Sequence, residues 1–224
     1  MQDQLQMSRA FQLVNEMEAG NIVRRYAVGG AVGAMFYLEP FVTGDIDFFV
    51  DLATPPESSL LSLLPLSHDH LTARGATLES EYLVIGDWRV QFLPATTPLE
   101  KEALEQAVQH TINDQKVRVI TAEYLVAICL QTGRLKDLER VIRFMQQVKL
   151  DRPKLNEILA RYGLVQKWEK LEREDLPREA KVRDRIHDPL KYRRSQAAAA
   201  PERKLRKMES LREDVAYIRR HTRQ

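Results

Sequence analysis

A single cysteine, Cys129, stands in the 224-residue chain, so an internal disulfide framework is excluded and a reducing, cytoplasmic location is expected. Cys129 sits in the apolar run Leu125–Leu130 and reads as a small core residue rather than a nucleophile. No run approaches the roughly 18 consecutive apolar residues of a membrane helix. The opening Met1-Gln-Asp-Gln-Leu5 lacks the basic and apolar regions of a secretory signal. There is no P-loop lysine motif, no Gly-x-Ser-x-Gly elbow and no zinc-ligand spacing. His68-Asp69-His70 has no third ligand at helical or strand spacing and reads as a loop, while His110, His187 and His221 are isolated. Trp88 and Trp168 read as core or interface anchors rather than base-stacking platforms.

Net charge is small, only +2, but the balance conceals a division. Residues 178–224 hold 15 lysines and arginines against 7 acids, and the rest of the chain holds 19 against 25. An acidic body therefore carries a basic tail, an asymmetry that points to a partner-binding arm. Leu205, Met208, Leu211, Val215 and Ile218 give the tail an amphipathic helical pattern that needs burial. Docking on the acidic body, or a homo-oligomer contact with a second subunit, satisfies that need. Nucleic-acid binding is the alternative, although only Tyr192 and Tyr217 are there to stack on bases.

Periodicity predicts an amphipathic helix over residues 4–19, a strand over Arg25–Val28, a short helix over Ala31–Leu38 and a strand over Asp45–Leu52. Glu57–Leu64 reads as helical. Glu81–Ile85 and Trp88–Leu93 flank Gly86-Asp87 as a tight hairpin. Pro98 to about His110 reads as a helix, and Lys116–Ile120 as a short strand. The following helices are expected over Ala122–Gln131, over Leu135–Val148, from Asp151-Arg-Pro153, and from Gly163 to Glu172. Strands gather in the first half and helices in the second, which predicts an α+β fold. The expected units are a core over residues 1–120, a helical bundle over 121–176 and a basic helical extension over 177–224.

The chemistry concentrates in Tyr26-Ala-Val-Gly-Gly-Ala-Val-Gly-Ala-Met35 and Thr43-Gly-Asp-Ile-Asp-Phe-Phe-Val50. A strand runs into Gly29-Gly30, and a second strand alternates Asp45 and Asp47 with apolar residues. Residues i and i+2 of a strand share a face, roughly 7 Å apart. Asp45 and Asp47 thus aim two hard oxygen ligands at one place opposite a backbone cleared by glycine, a fit for Mg²⁺ or Mn²⁺ and a nucleotide phosphate. The alternative is a tight turn at Gly29-Gly30 and a solvated edge strand bearing both acids. Asp51 reads as solvated at the strand end.

Gly29-Gly30 followed by Asp45-Ile-Asp47 resembles the signature of the DNA polymerase β-like nucleotidyltransferase superfamily, and most closely its small bacterial branch of AbiEii-like toxins and minimal nucleotidyltransferases. The likeness covers residues 10–52, and a weaker one extends to about residue 150 through Gly133-Arg-Leu-Lys-Asp-Leu138. It implies a minimal nucleotidyltransferase fold and Mg²⁺-dependent transfer of a nucleoside monophosphate from an NTP to an acceptor hydroxyl, with tRNA or protein as acceptor and a toxin-like role. It assigns Asp45 and Asp47 to the metal, Gly29 and Gly30 to the triphosphate, and Arg134 and Lys136 to phosphate charge. Arg134, Lys136 and Asp137 equally suit a solvated helix start. The chain departs from the pattern twice. Gln91 stands where a third acid belongs, and an amide can ligate a cation but cannot take a proton. Asp87 lies too far along the strand to replace it; Glu79 or Glu81 offers a substitute. Cys129 stands where toxin-like members carry a phosphate-binding lysine. The competing function is a catalytically weakened nucleotide-binding or interaction module, and a third is a nucleic-acid adaptor working through the tail.

Overall fold

The computed structural model describes residues 2–41, 43–52, 76–79, 82–85, 88–112 and 115–175. The expected helix over Glu57–Leu64, the loop His68-Asp69-His70, the acids Glu81 and Asp87, and the whole basic tail lie outside them.

Helix α1 (Gln2–Ala19) buries Met7, Ala10, Phe11, Val14 and Met17, the stripe its period demands. It stops where Asn21 adopts φ 54° and the Ile22 amide donates to Met17 O at 2.9 Å. Strand β1 (Val23–Val28) follows, then α2 (Gly30–Met35) and β2 (Asp45–Leu52). Next come β3 (Ala76–Glu79), β4 (Tyr82–Ile85) and β5 (Trp88–Pro94). Helix α3 (Pro98–Glu105) leads to the β6 (Val108–Ile112) and β7 (Gln115–Val119) pair. Four helices complete the described chain: α4 (Ala122–Thr132), α5 (Leu135–Gln147), α6 (Arg152–Arg161) and α7 (Val165–Asp175). The result is α+β, as the segregation of strands and helices predicts.

All seven described strands form one mixed sheet in the order β3-β4-β5-β2-β1-β7-β6. At its centre β2 runs antiparallel to β1 and parallel to β5. Alternation on β2 divides its side chains between two cores. Ile46, Phe48 and Val50 join α1 on one face, where Phe48 packs edge-on against Phe11 and Tyr26 and stacks on Phe92. Burying such a ring stabilises the fold by roughly 1.5–3 kcal/mol. Phe49 faces the other way and shares a buried cluster with Ala27, Leu125, Leu130, Phe144 and Trp168, so the sheet and the C-terminal helices share one core. Trp88 and Trp168 are both core residues, and so is Cys129.

One expectation is corrected and one strand is added. The helix from Pro98 ends at Glu105 instead of running to His110. Thr97 and Glu100 close a capping box at its start, and β-branched Val108, Thr111 and Ile112 then pair with β7, His110 opposite Val117. The short segment Ala76–Glu79, unassigned by periodicity, pairs with β4 as the outermost strand.

Candidate functional site

The alternation that places Phe49 on the helical side of the sheet places Asp45 and Asp47 there as well. Both are half-buried. The end of β1 and the start of α2 close over Asp47. The Gly29 amide donates to Asp47 O at 2.9 Å. Gly30 has φ +55°, and a Cβ built on it would overlap Asp47 Oδ2 and lie 2.7 Å from Asp47 Cγ. A side chain at residue 30 and the Asp47 carboxylate therefore compete for one volume, which explains glycine there on two counts, conformation and space. At Gly29 a Cβ would meet Phe49 Cε2 at 2.5 Å.

The resemblance points to the amides around Gly29 and Gly30 for phosphate; of these, the Gly29 N–H is engaged by the Asp47 carbonyl. Its work is to tie the glycine bend to the acid-bearing strand.

Helix α4 ends at Gly133, whose φ of 65° gives a left-handed cap, and Arg134 is the N-cap residue of α5. Asp137, in the first turn of α5, is 2% exposed. It accepts from Arg134 Nε at 2.6 Å, from Arg140 Nη1 at 3.2 Å and from Thr132 Oγ1 at 3.0 Å. Asp137 is therefore a buried clamp rather than part of a solvated helix start. Burial alone would raise its pKa, but the hydrogen bonds from Arg134 and Thr132 and the charge of both arginines outweigh it and hold the carboxyl below the ordinary range.

Burial raises the Asp47 pKa, and the neighbouring charge of Asp45 raises it further. Arg140, Lys136 and Arg134 pull in the opposite direction. Arg134 and Lys136, at the start of α5, thus act electrostatically on Asp47 of β2. Arg140 belongs with them and is missed by motif reasoning. Its side chain is only 14% exposed, and it reaches Cys129 Sγ at 3.7 Å. The signal for it is spacing: Arg134 and Arg140 bracket Asp137 at i−3 and i+3. Burial pushes the Cys129 thiol up, away from nucleophilic chemistry.

On the other side of β2, the parallel register sets Gln91 opposite Asp47 and Arg89 opposite Asp45. Gln91 therefore occupies the position beside the acid pair that sequence reasoning gives it. In the strand order β4 and β5 separate β3 from β2 by three spacings, roughly 14 Å in all. Among the described residues no three His, Cys, Asp or Glu side chains converge to hold a metal. Two carboxylates, one amide oxygen and flanking cations fit a hard divalent ion that arrives with phosphate oxygens of its own. Asp51 is exposed, 4.0 Å from Arg24, and lies outside the site. His110 packs on Phe36 with ring centroids 5.1 Å apart, and burial lowers its pKa.

No family model matches this chain, and no curated protein matches it. Among solved structures it is similar to an antigenic nucleotidyltransferase-like protein from Paracoccidioides brasiliensis, 15% identical over 76% of this chain and 91% of that one, with a TM-score of 0.48. It is also similar to ANT(2")-Ia in complex with adenylyl-2"-tobramycin, 16% identical over 71% of this chain and 98% of that one, with a TM-score of 0.40. None of the described helices is long and apolar enough to cross a membrane.

Proposed function

We propose that Asp45 and Asp47 of β2, with the cations at the start of α5, bind a nucleoside triphosphate with Mg²⁺ or Mn²⁺, and that the chain transfers the nucleoside monophosphate to an acceptor hydroxyl. The observation that carries this reading is the closure of Gly30 over Asp47, which places a bare backbone bend on a pair of same-facing acids. Asp45 and Asp47 would hold the ion, with Gln91 contributing at most an amide oxygen. The Gly30 amide and the side chains of Arg134, Lys136 and Arg140 would meet phosphate charge. The ion, when bound, supplies Lewis-acid stabilisation of charge on the phosphate oxygens.

In the reaction the acceptor oxygen bonds to the α-phosphorus, the α–β phosphoanhydride bond breaks and pyrophosphate leaves. The hydroxyl proton cannot pass to Gln91, which has no basic site, and so goes to water or to a phosphate oxygen. The cationic side chains favour polyphosphate over singly charged anions, because they can meet its several charges at once. Residues 1–120 would form the catalytic core and 121–176 the bundle that delivers the cations, with 177–224 as a separate extension. The resemblance supplies tRNA or a protein side chain as acceptor, and a toxin-like role.

A second reading is favoured by one observation, the amide of Gln91 opposite Asp47: a nucleotide-binding module that has lost transfer. The two separate on incubation with Mg²⁺, each α-labelled NTP and total RNA. Label on RNA or on protein supports transfer. NTP binding without label anywhere supports the module.

A further inference from the structure

Asp45 and Asp47 share a strand but not the same support. Asp47 is held on both sides: the Gly29 amide donates to its carbonyl at 2.9 Å, and Gln91 pairs with it on β5. The β1–β2 register ends at Val28 opposite Phe48, so among the described residues Asp45 pairs with β5 alone, opposite Arg89. Its own amide reaches back to Thr43 Oγ1 at a long 3.4 Å. A strand end held on one side takes its position partly from the chain that leads into it. That chain, between α2 and β2, touches α5 three times. Tyr37 packs on Phe144 with ring centroids 6.3 Å apart. The Glu39 amide donates to Gln147 Oε1 at 2.9 Å. The Arg143 guanidinium lies over the Phe41 ring, 5.3 Å from its centroid. Lys136, Arg140, Arg143 and Gln147 follow one another at helical spacing along one face of α5. The first two act on Asp47, and the last two hold the segment that enters β2. Arg143 is exposed, so removing its guanidinium opens no cavity in the core.

We infer that Arg143 is a positioning residue for the ion site: seated on Phe41, it fixes the chain that delivers Asp45, and it meets no ligand itself. The inference rests on the nucleotide reading above and adds to it a residue that acts through Asp45. One rigid helix then sets the distance between the cations that meet phosphate and the acid that meets the ion. A guanidinium suits this work because it is permanently charged and stacks on an aromatic face.

The test uses the full chain with Mg²⁺ and an α,β-methylene ATP analogue. Affinity is read by calorimetric titration, and by thermal shift at millimolar ligand, where weak binding still registers. Arg143→Ala should weaken binding about threefold, the size of one exposed cation–π contact. Phe41→Leu should weaken it comparably, and the double variant should bind no more weakly than the weaker single one. Arg143→Lys, which keeps a cation over the ring, should recover most of the loss. In an Asp45→Asn background, Arg143→Ala should have no further effect. Unchanged affinity in Arg143→Ala, whatever its melting temperature, overturns the inference by leaving Arg143 a merely structural residue. Additive losses in the double variant, native affinity in Phe41→Leu, or a further loss in the Asp45→Asn background overturns it by giving Arg143 a ligand contact of its own. The nucleotide reading stands in each of these outcomes. Absence of nucleotide binding by the native chain overturns both.

Discussion

Gly30 lies so close over Asp47 that a methyl group on the glycine would overlap the carboxylate. The acid is held in place by an absent side chain, and the left-handed φ of +55° makes glycine the residue that meets the bend without strain. Gly30→Ala should therefore cost roughly 1–3 kcal/mol of stability from strain and overlap, and it should abolish Mg²⁺–nucleotide binding by displacing Asp47. Gly29→Ala is the control. Its Cβ meets the ring of Phe49, so it should destabilise comparably while a folded protein retains measurable nucleotide affinity. Thermal denaturation and calorimetric titration of both variants check the pair. Equal loss of affinity in the two would contradict the assignment.

The raised pKa of Asp47, caused first by burial and then by Asp45, has a sign that can be tested. A carboxyl whose folded pKa lies above its unfolded one costs stability when ionised. That cost is present in full above the folded pKa and disappears below the ordinary carboxylate range. Asp47→Asn should thus melt higher than the native chain at neutral pH without metal, and the gap should close on acidification. Adding Mg²⁺ and nucleotide should raise the melting temperature of the native chain alone. An Asn variant that is less stable at neutral pH, or that keeps the ligand-induced shift, would contradict this.

Asp137 has the opposite sign. Its folded pKa is held low despite burial, by Arg134, Thr132 and Arg140. Its stabilisation is therefore present above the ordinary carboxylate range and lost as pH falls through the lowered folded value. Asp137→Asn should cost roughly 3 kcal/mol at neutral pH, as breaking a buried ion pair does, with the difference vanishing in strong acid. Nucleotide affinity should fall too, because Arg134 and Arg140 lose their tether. Urea unfolding at several pH values, with a binding titration at neutral pH, reads both effects.

Gln91 faces Asp47 across the β2–β5 register. Gln91→Glu should return a proton acceptor beside the acid pair and raise the rate of nucleoside monophosphate transfer about a hundredfold, with a rate that rises with pH through the titration of the new acid. An unchanged single-turnover rate at saturating NTP would show that residue 91 does not limit the chemistry.

Much of the frame was legible in the residues. Asp45–Leu52 reads as a strand because acids and apolar side chains alternate along it, and the strand has those ends. Gly133 marks the break between α4 and α5 because a left-handed cap there suits glycine. The β6 strand was hidden behind Pro98–Glu105. Strong capping signals a helix start, but a stop without glycine or proline leaves the end unmarked. The site was legible on β2 and only partly on α5. Helical spacing tells which of Arg134, Lys136, Asp137 and Arg140 share a face, but it does not tell which face meets the sheet. Spacing therefore leaves Asp137 open between a solvated helix start and a phosphate site, and it does not single out Arg140. The engaged amide of Gly29 could not be foreseen, because a hydrogen bond to Asp47 O depends on how closely two segments approach.

The central claim, that the Asp45–Asp47 pair beneath Gly30 forms a metal–nucleotide site, is tested most directly by isothermal titration of the full chain with a non-hydrolysable NTP, with and without Mg²⁺, alongside Asp45→Asn/Asp47→Asn. The account predicts one nucleotide per chain, bound in the presence of Mg²⁺ and lost in the double variant while its fold, read by circular dichroism, persists. No binding by the native chain, or binding that the double variant retains, would contradict it.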